Sequence, residues 1–110
     1  MSQTSIKLSH STKKLSGTVQ LTGSKSESNR ALIIQALSKG KITIENLSEA
    51  DDTVLLTKAI KDANLAGEGQ KTIDIGPAGT AMRFMTSYLN LIPGDFILTG
   101  TERMQQRQIG

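Results

Sequence analysis

One stretch, Leu21-Thr22-Gly23-Ser24-Lys25-Ser26-Glu27-Ser28-Asn29-Arg30, constrains the fold most, because the periodicity of the chain changes across it. Before it, Gly17-Thr18-Val19-Gln20-Leu21 alternates as a strand does. After it, Ala31-Leu32-Ile33-Ile34-Gln35-Ala36-Leu37 has the spacing of a helix with a broad apolar face. A strand therefore turns into a helix between Gly23 and Ser26, with Gly23 relaxing the turn and Ser24 or Ser26 capping the helix. A helix start exposes unpaired N–H groups and carries partial positive charge. Lys25 and Arg30 add two full charges there, and in a helix that begins near Ser26, Ser26 and Arg30 share a face. Hydroxyl, ammonium, guanidinium and free amides then meet at one place suited to a phosphate or carboxylate. The same residues also make an ordinary Ser-rich helix start with a solvated basic face, and composition and spacing leave the two readings open.

The rest of the chain alternates in the same manner. Residues 17–22 are expected as a strand and 25–38 as a helix that Gly40 ends. Lys41-Ile42-Thr43-Ile44-Glu45-Asn46 alternates as a strand, with Ile42 and Ile44 on one side. Leu56, Ala59, Ile60 and Ala63 recur at helical spacing through residues 52–64. Asp51 and Asp52 before them read as helix-capping acids, with a paired-carboxylate acid/base role as the minor alternative. Residues 65–70, with Gly67 and Gly69, read as a loop, and 71–75 as a strand. The opening pattern then returns in weaker form: Gly76-Pro77-Ala78-Gly79-Thr80-Ala81-Met82-Arg83 follows a strand and opens a helix running through Leu89. Thr80 is expected to cap it, with Arg83 as a helical neighbour. The helix stops before Pro93-Gly94, and 95–99 is the next strand. Gly23 to Gly79 and Gly40 to Gly94 span nearly equal intervals, a faint internal repeat. Met82 and Met85, at helical spacing, read as core. Arg103 and Arg107 lie one helical turn apart and share a face if that segment is helical; otherwise they form a solvated basic turn.

The chain has 110 residues, one small domain or part of a larger one. Its hydrophobic content of 36% with 3% aromatics is lean for an independent core, which leaves self-association open as a way to cover apolar surface. The formal net charge of +3 is mild and spread, without a basic run interleaved with aromatics, so nucleic acid is not an expected partner. The absence of cysteine excludes disulfides and thiolate metal sites, and His10 is too isolated to suggest a metal. No run of about 18 apolar residues reads as a membrane span, and no apolar leader opens the chain, so a soluble cytoplasmic protein is the expectation. Alternating strands and helices place the chain in the α/β (α+β) class, helices packed on a mixed sheet.

Three motifs then resemble one family. Residues 21–32 resemble the Gly-Ser-Lys-Ser-x-Ser-Asn-Arg signature of the 5-enolpyruvylshikimate-3-phosphate synthase family. Ala-Gly-Thr-Ala-Met-Arg at 78–83 resembles its second signature, and Leu-Thr-Gly-Thr-Glu-Arg-Met-Gln-Gln-Arg-Gln-Ile-Gly at 98–110 its third. Asp51-Asp52 also falls where the family tends to place an acidic pair, and the order and spacing hold through residues 17–110. The resemblance implies a shikimate-pathway transferase that moves the enolpyruvyl group of phosphoenolpyruvate onto the 5-hydroxyl of shikimate 3-phosphate and releases phosphate. It implies a tetrahedral intermediate and no metal or organic cofactor. It matches Lys25 to the lysine that contacts both substrates, and Ser26 and Arg30 to residues holding shikimate 3-phosphate. Gly79 and Arg107 match residues lining the phosphoenolpyruvate site, with Thr80 and Arg83 in support.

Departures accompany the match. Pro77 stands where many members have Asn, while Phe84 and Gln108 each replace a common Pro. Family members are several times longer and usually monomeric, with two lobes each built from three βαβαββ units. By that resemblance residues 1–20 are an extended segment of the other lobe, and 21–110 are the first unit and the start of the second, an incomplete repeat. Gln108-Ile109-Gly110 gives no stop signal. The family's acid/base Asp, Lys and Glu fall outside this portion, so no catalytic residue is assigned within it and no turnover is expected of the chain alone. Two other readings stand beside this one: a non-catalytic anion-binding module, and the sister UDP-N-acetylglucosamine enolpyruvyl transferase. The latter family places Lys-Asn where this chain has Lys25-Ser26, and usually carries a loop Cys.

Overall fold

In the computed structural model, which describes residues 4–65 and 69–108, three helices pack beside a two-stranded parallel sheet. The order is α1 (Lys25–Leu37), α2 (Asp51–Ala63), β1 (Lys71–Asp74), α3 (Gly79–Tyr88), a 3-10 turn (Leu89–Leu91), β2 (Phe96–Thr99) and α4 (Glu102–Gln105). The strands pair from Lys71↔Phe96 to Asp74↔Thr99, and Ile75 N–H extends the ladder to Thr99 O at 3.0 Å. Parallel strands need a crossover, and α3 supplies it. The α/β class and the incomplete-repeat architecture hold. Part of the expected 65–70 loop, around Gly67, and the end of the third motif lie outside the described residues.

Two expected strands are absent. Residues 17–22 and 41–46 join no ladder. The first has no partner strand in the described residues, and Val19 and Leu21 stay exposed. A strand is stabilised by its neighbours, so alternation without a partner leaves an extended chain. The second run is broken at Asn46, whose φ of 57° takes it out of the extended region. Its Ile44 still packs on the core, and Gln35 Nε2 donates to Ile42 O at 2.9 Å.

The helix boundaries follow local chemistry. Ser24, not Ser26, caps α1: its Oγ accepts from Glu27 N–H at 3.4 Å. Gly40, at φ 78°, closes the exit by donating to Gln35 O at 3.1 Å. Asp51 and Asp52 sit in the first turn of α2, where they favour the helix dipole, but neither provides a side-chain cap. Thr80 does not cap α3, because the helix begins one residue earlier, at Gly79. Met82 and Met85 are buried, as their spacing predicts.

The core joins Leu32, Leu56, Ala59, Ile73 and Met85 from α1, α2, β1 and α3, with Ile75 just after β1. Contacts also set the helix directions. Lys25 Nζ lies 3.4 Å from Asp52 Oδ2, joining the starts of α1 and α2. Leu55, early in α2, packs near Gly76, just before α3, and Asn64 Nδ2 donates to Tyr88 OH at 3.1 Å, joining the ends of α2 and α3. The three helices therefore run side by side in one direction, and all start at the end where β1 and β2 finish. Among the described residues no helix is long and apolar enough to cross a membrane.

The α1 start is bolted to the segment before α2. A Cβ on Gly23 would collide with Asn46 O and come within 3.2 Å of Ser48 N. Ser48 N–H donates to Ser28 Oγ at 2.9 Å, Glu49 N–H to Thr22 Oγ1 at 3.0 Å, and Thr53 Oγ1 to Asn29 Oδ1 at 2.9 Å. Backbone cannot yield as a flexible side chain does, so Gly23→Ala is expected to destabilise the chain by about 2 kcal/mol. Gly17→Ala, where a Cβ meets nothing within 4 Å, is expected to change stability by less than about 0.5 kcal/mol. Urea unfolding midpoints measure both, and equal midpoints would contradict the close approach.

Candidate anion-binding site

The two strand-to-helix turns are pressed together at the end where the helices begin. Gly76, at φ 55°, donates its N–H to Asp74 Oδ1 at 2.8 Å and accepts from Thr101 N–H at 3.1 Å. A Cβ on Gly100 would stand 2.5 Å from Gly76 O and 2.9 Å from Met104 Cγ, so only glycine fits. Thr101 then caps α4, its Oγ1 accepting from Met104 N–H at 3.3 Å, and Met104 is buried beneath. This anchoring carries Arg107 over the start of α3. Its Nη1 lies 2.7 Å, and its Nη2 3.5 Å, from where a Cβ on Gly79 would stand.

Gly79 and Arg107 thus meet, although they are distant in sequence. Among the described residues the N–H groups of Gly79, Thr80 and Ala81 have no acceptor; the first bonded amide is Met82, to Ala78 O at 3.0 Å. Free amides and a guanidinium so placed suit a small anion. Pro77, Thr101, Arg103, Met104 and Arg107 line an adjoining open pocket of about 460 Å³. Thr80 is half-buried in the first turn of α3, and Arg83 is exposed on the same helix.

The start of α1 offers a second set of cations. Lys25 faces Asp52, while Ser26 and Arg30 are exposed one turn apart. Among the described residues neither side chain has a hydrogen-bond or ion-pair partner. No hydrogen bond or ion pair joins Lys25, Ser26 or Arg30 to Gly79 or Arg107 there; what the two groups share is the end of the unit where the helices start. Three features escaped sequence reasoning. Ser28 and Asn29 of the first motif point inward and are buried, a role legible only in their helical spacing to Leu32. Asp52 as the partner of Lys25 and Pro77 as a pocket wall left no signal in spacing. Among the described residues no group of three His, Cys, Asp or Glu side chains is placed to hold a metal ion.

Comparison with known proteins agrees with the motifs. Residues 9–110 match the family model for EPSP synthase (3-phosphoshikimate 1-carboxyvinyltransferase). The chain is similar to the 3-phosphoshikimate 1-carboxyvinyltransferase of Bacteroides fragilis strain YCH46, 55% identical over 96 residues, which cover 87% of this chain and 22% of that protein. It is 39% identical over 119 residues to the Shewanella pealeana enzyme of the same name, covering 89% of this chain and 28% of that one. The Aliivibrio salmonicida enzyme of that name is 39% identical over 118 residues, with 88% and 28% covered. The chain therefore spans between 22% and 28% of the length of these relatives. No solved structure matches.

At Gly79 the obstructing atoms are the tip of a flexible side chain, unlike the backbone that crowds Gly23. Gly79→Ala is therefore expected to leave the stability of the fold within about 0.5 kcal/mol of that of the unmodified chain. It is expected to displace Arg107 and weaken inorganic phosphate binding about tenfold, roughly 1.4 kcal/mol. A thermal melt beside a phosphate titration separates the two effects.

Proposed function

The chain belongs to the EPSP synthase (3-phosphoshikimate 1-carboxyvinyltransferase) family, and from that premise we propose that it forms the N-terminal part of a transferase moving enolpyruvyl from phosphoenolpyruvate to shikimate 3-phosphate. Residues 1–20 belong to one lobe, and 21–110 make the first repeat unit and the start of the second in the other. Ser26 and Arg30 hold shikimate 3-phosphate, Lys25 touches both substrates, and Gly79 and Arg107 line the phosphoenolpyruvate site. Thr80 and Arg83 shape the helix behind that site. The observation that carries this reading is the guanidinium of Arg107 lying against Gly79 at the open start of α3.

The chemistry explains the cations. The 5-hydroxyl gives up its proton and attacks C2 of phosphoenolpyruvate while C3 takes up a proton, so a tetrahedral adduct forms; loss of phosphate from C2 and of a proton from C3 then leaves the enol ether. Both substrates are multiply anionic and repel one another in water. Fixed ammonium, guanidinium and amide donors neutralise them, so that two anions sit within reacting distance. Ser26, in place of Asn, supports a shikimate phosphate over a UDP-amino sugar. Proton transfer falls to residues outside this portion, so the chain alone binds without turning over.

Titration of shikimate 3-phosphate into the purified chain tests this. Saturable binding is expected, and Arg30→Ala is expected to weaken it at least tenfold, since a charge-assisted pair is lost. Binding unchanged in Arg30→Ala contradicts the assignment. Sustained phosphate release from both substrates, in a preparation free of host enzyme, contradicts the claim that the chain lacks turnover.

A further inference from the structure

We infer that Arg103 is a second anion-binding residue of the pocket beside Gly79, acting with Arg107 to grip one small carboxylate-bearing phosphate between two guanidinium groups. This rests on the reading of that pocket as the phosphoenolpyruvate site. Arg103 and Arg107 flank Met104, which is buried and fixes the segment from below. The Thr101 cap and the close approach of Gly100 to Gly76 hold the start of the same segment. Both arginines therefore belong to an anchored turn and line one open pocket.

The rest of that lining leaves the charged donor role to them. Pro77 has no N–H, Met104 is apolar, and Thr101, whose hydroxyl oxygen accepts from Met104 N–H, offers one neutral O–H. Among the described residues neither arginine forms an ion pair. Two like charges over one pocket repel when it is empty, and an anion shared between them removes that repulsion. A guanidinium also presents a planar fork that matches carboxylate and phosphate oxygens in pairs. Two forks suit a ligand that carries both groups, which a lone Arg107 would hold by one end only.

The test is calorimetric titration of phosphoenolpyruvate into the unmodified chain and into Arg103→Ala, Arg103→Lys and Arg107→Ala, with shikimate 3-phosphate titrated in parallel. Arg103→Ala is expected to weaken phosphoenolpyruvate binding at least tenfold, Arg103→Lys to restore part of it, and shikimate 3-phosphate binding to stay unchanged. If Arg107→Ala loses phosphoenolpyruvate while Arg103→Ala binds as the unmodified chain does, the role of Arg103 is overturned and the site assignment stands. Equal losses for both ligands in Arg103→Ala and Arg103→Lys mean a structural effect and overturn the inference. No saturable phosphoenolpyruvate binding by the unmodified chain overturns the site assignment and the inference with it.

Discussion

The architecture depends on backbone touching backbone at two places where a side chain would hold the segments apart. At Gly100 the turn after β2 rests on the carbonyl of Gly76, and Thr101 N–H completes the contact at 3.1 Å. At Gly23 the turn into α1 rests on the carbonyl of Asn46. The first contact brings Arg107 to the start of α3. The second brings Lys25 to the start of α2. Each converts a strand-like or extended approach into a helix whose first amides face the same end of the unit. A β-carbon at either place would push a basic side chain away from the amides it accompanies.

The polar interior of α1 follows from this geometry. A surface helix ordinarily presents a continuous apolar stripe to its core. In α1 the buried residues are Ser28, Asn29 and Leu32, while Ile34 and Leu37 are about half exposed. Ser28 and Asn29 are tolerated inside because each is paired, and among the described residues no buried side-chain N or O atom lacks a partner. The ion pair between Lys25 and Asp52 does not carry this junction. Lys25 is 53% exposed, and such a pair contributes at most about 1 kcal/mol. The buried hydrogen bonds hold the helices, and Lys25 remains available to an anion.

Much of this was legible in the sequence. The switch of period at Gly23, the helix exit at Gly40, the α3 start near Gly79 and the final β2 segment all announce themselves through glycine placement and apolar spacing. What failed did so for a physical reason. Val19, Leu21, Ile42 and Ile44 alternate as strand residues do, but alternation states only which face is apolar; a ladder also needs a neighbour. Thr80 looked like a cap because hydroxyls favour that position, yet Gly79 already adopts helical geometry. The candidate site residues were legible as a class, basic side chains and hydroxyls near helix starts. Their pairing was not, since Gly79 with Arg107, and Lys25 with Asp52, are joined only by packing that brings distant segments together.

Family membership and geometry converge on one end of the unit, where three helices begin and the basic side chains gather. The measurement that tests this most directly is an amide-resolved NMR titration of the chain with phosphoenolpyruvate and, separately, with shikimate 3-phosphate. The account predicts that phosphoenolpyruvate shifts the amides of residues 79–81 and 100–107, that shikimate 3-phosphate shifts those of 25–30, and that the opposite end, around Gly40, Asn64 and Ile92, stays unmoved. Shifts concentrated at that opposite end, or scattered without regard to the helix starts, would contradict it.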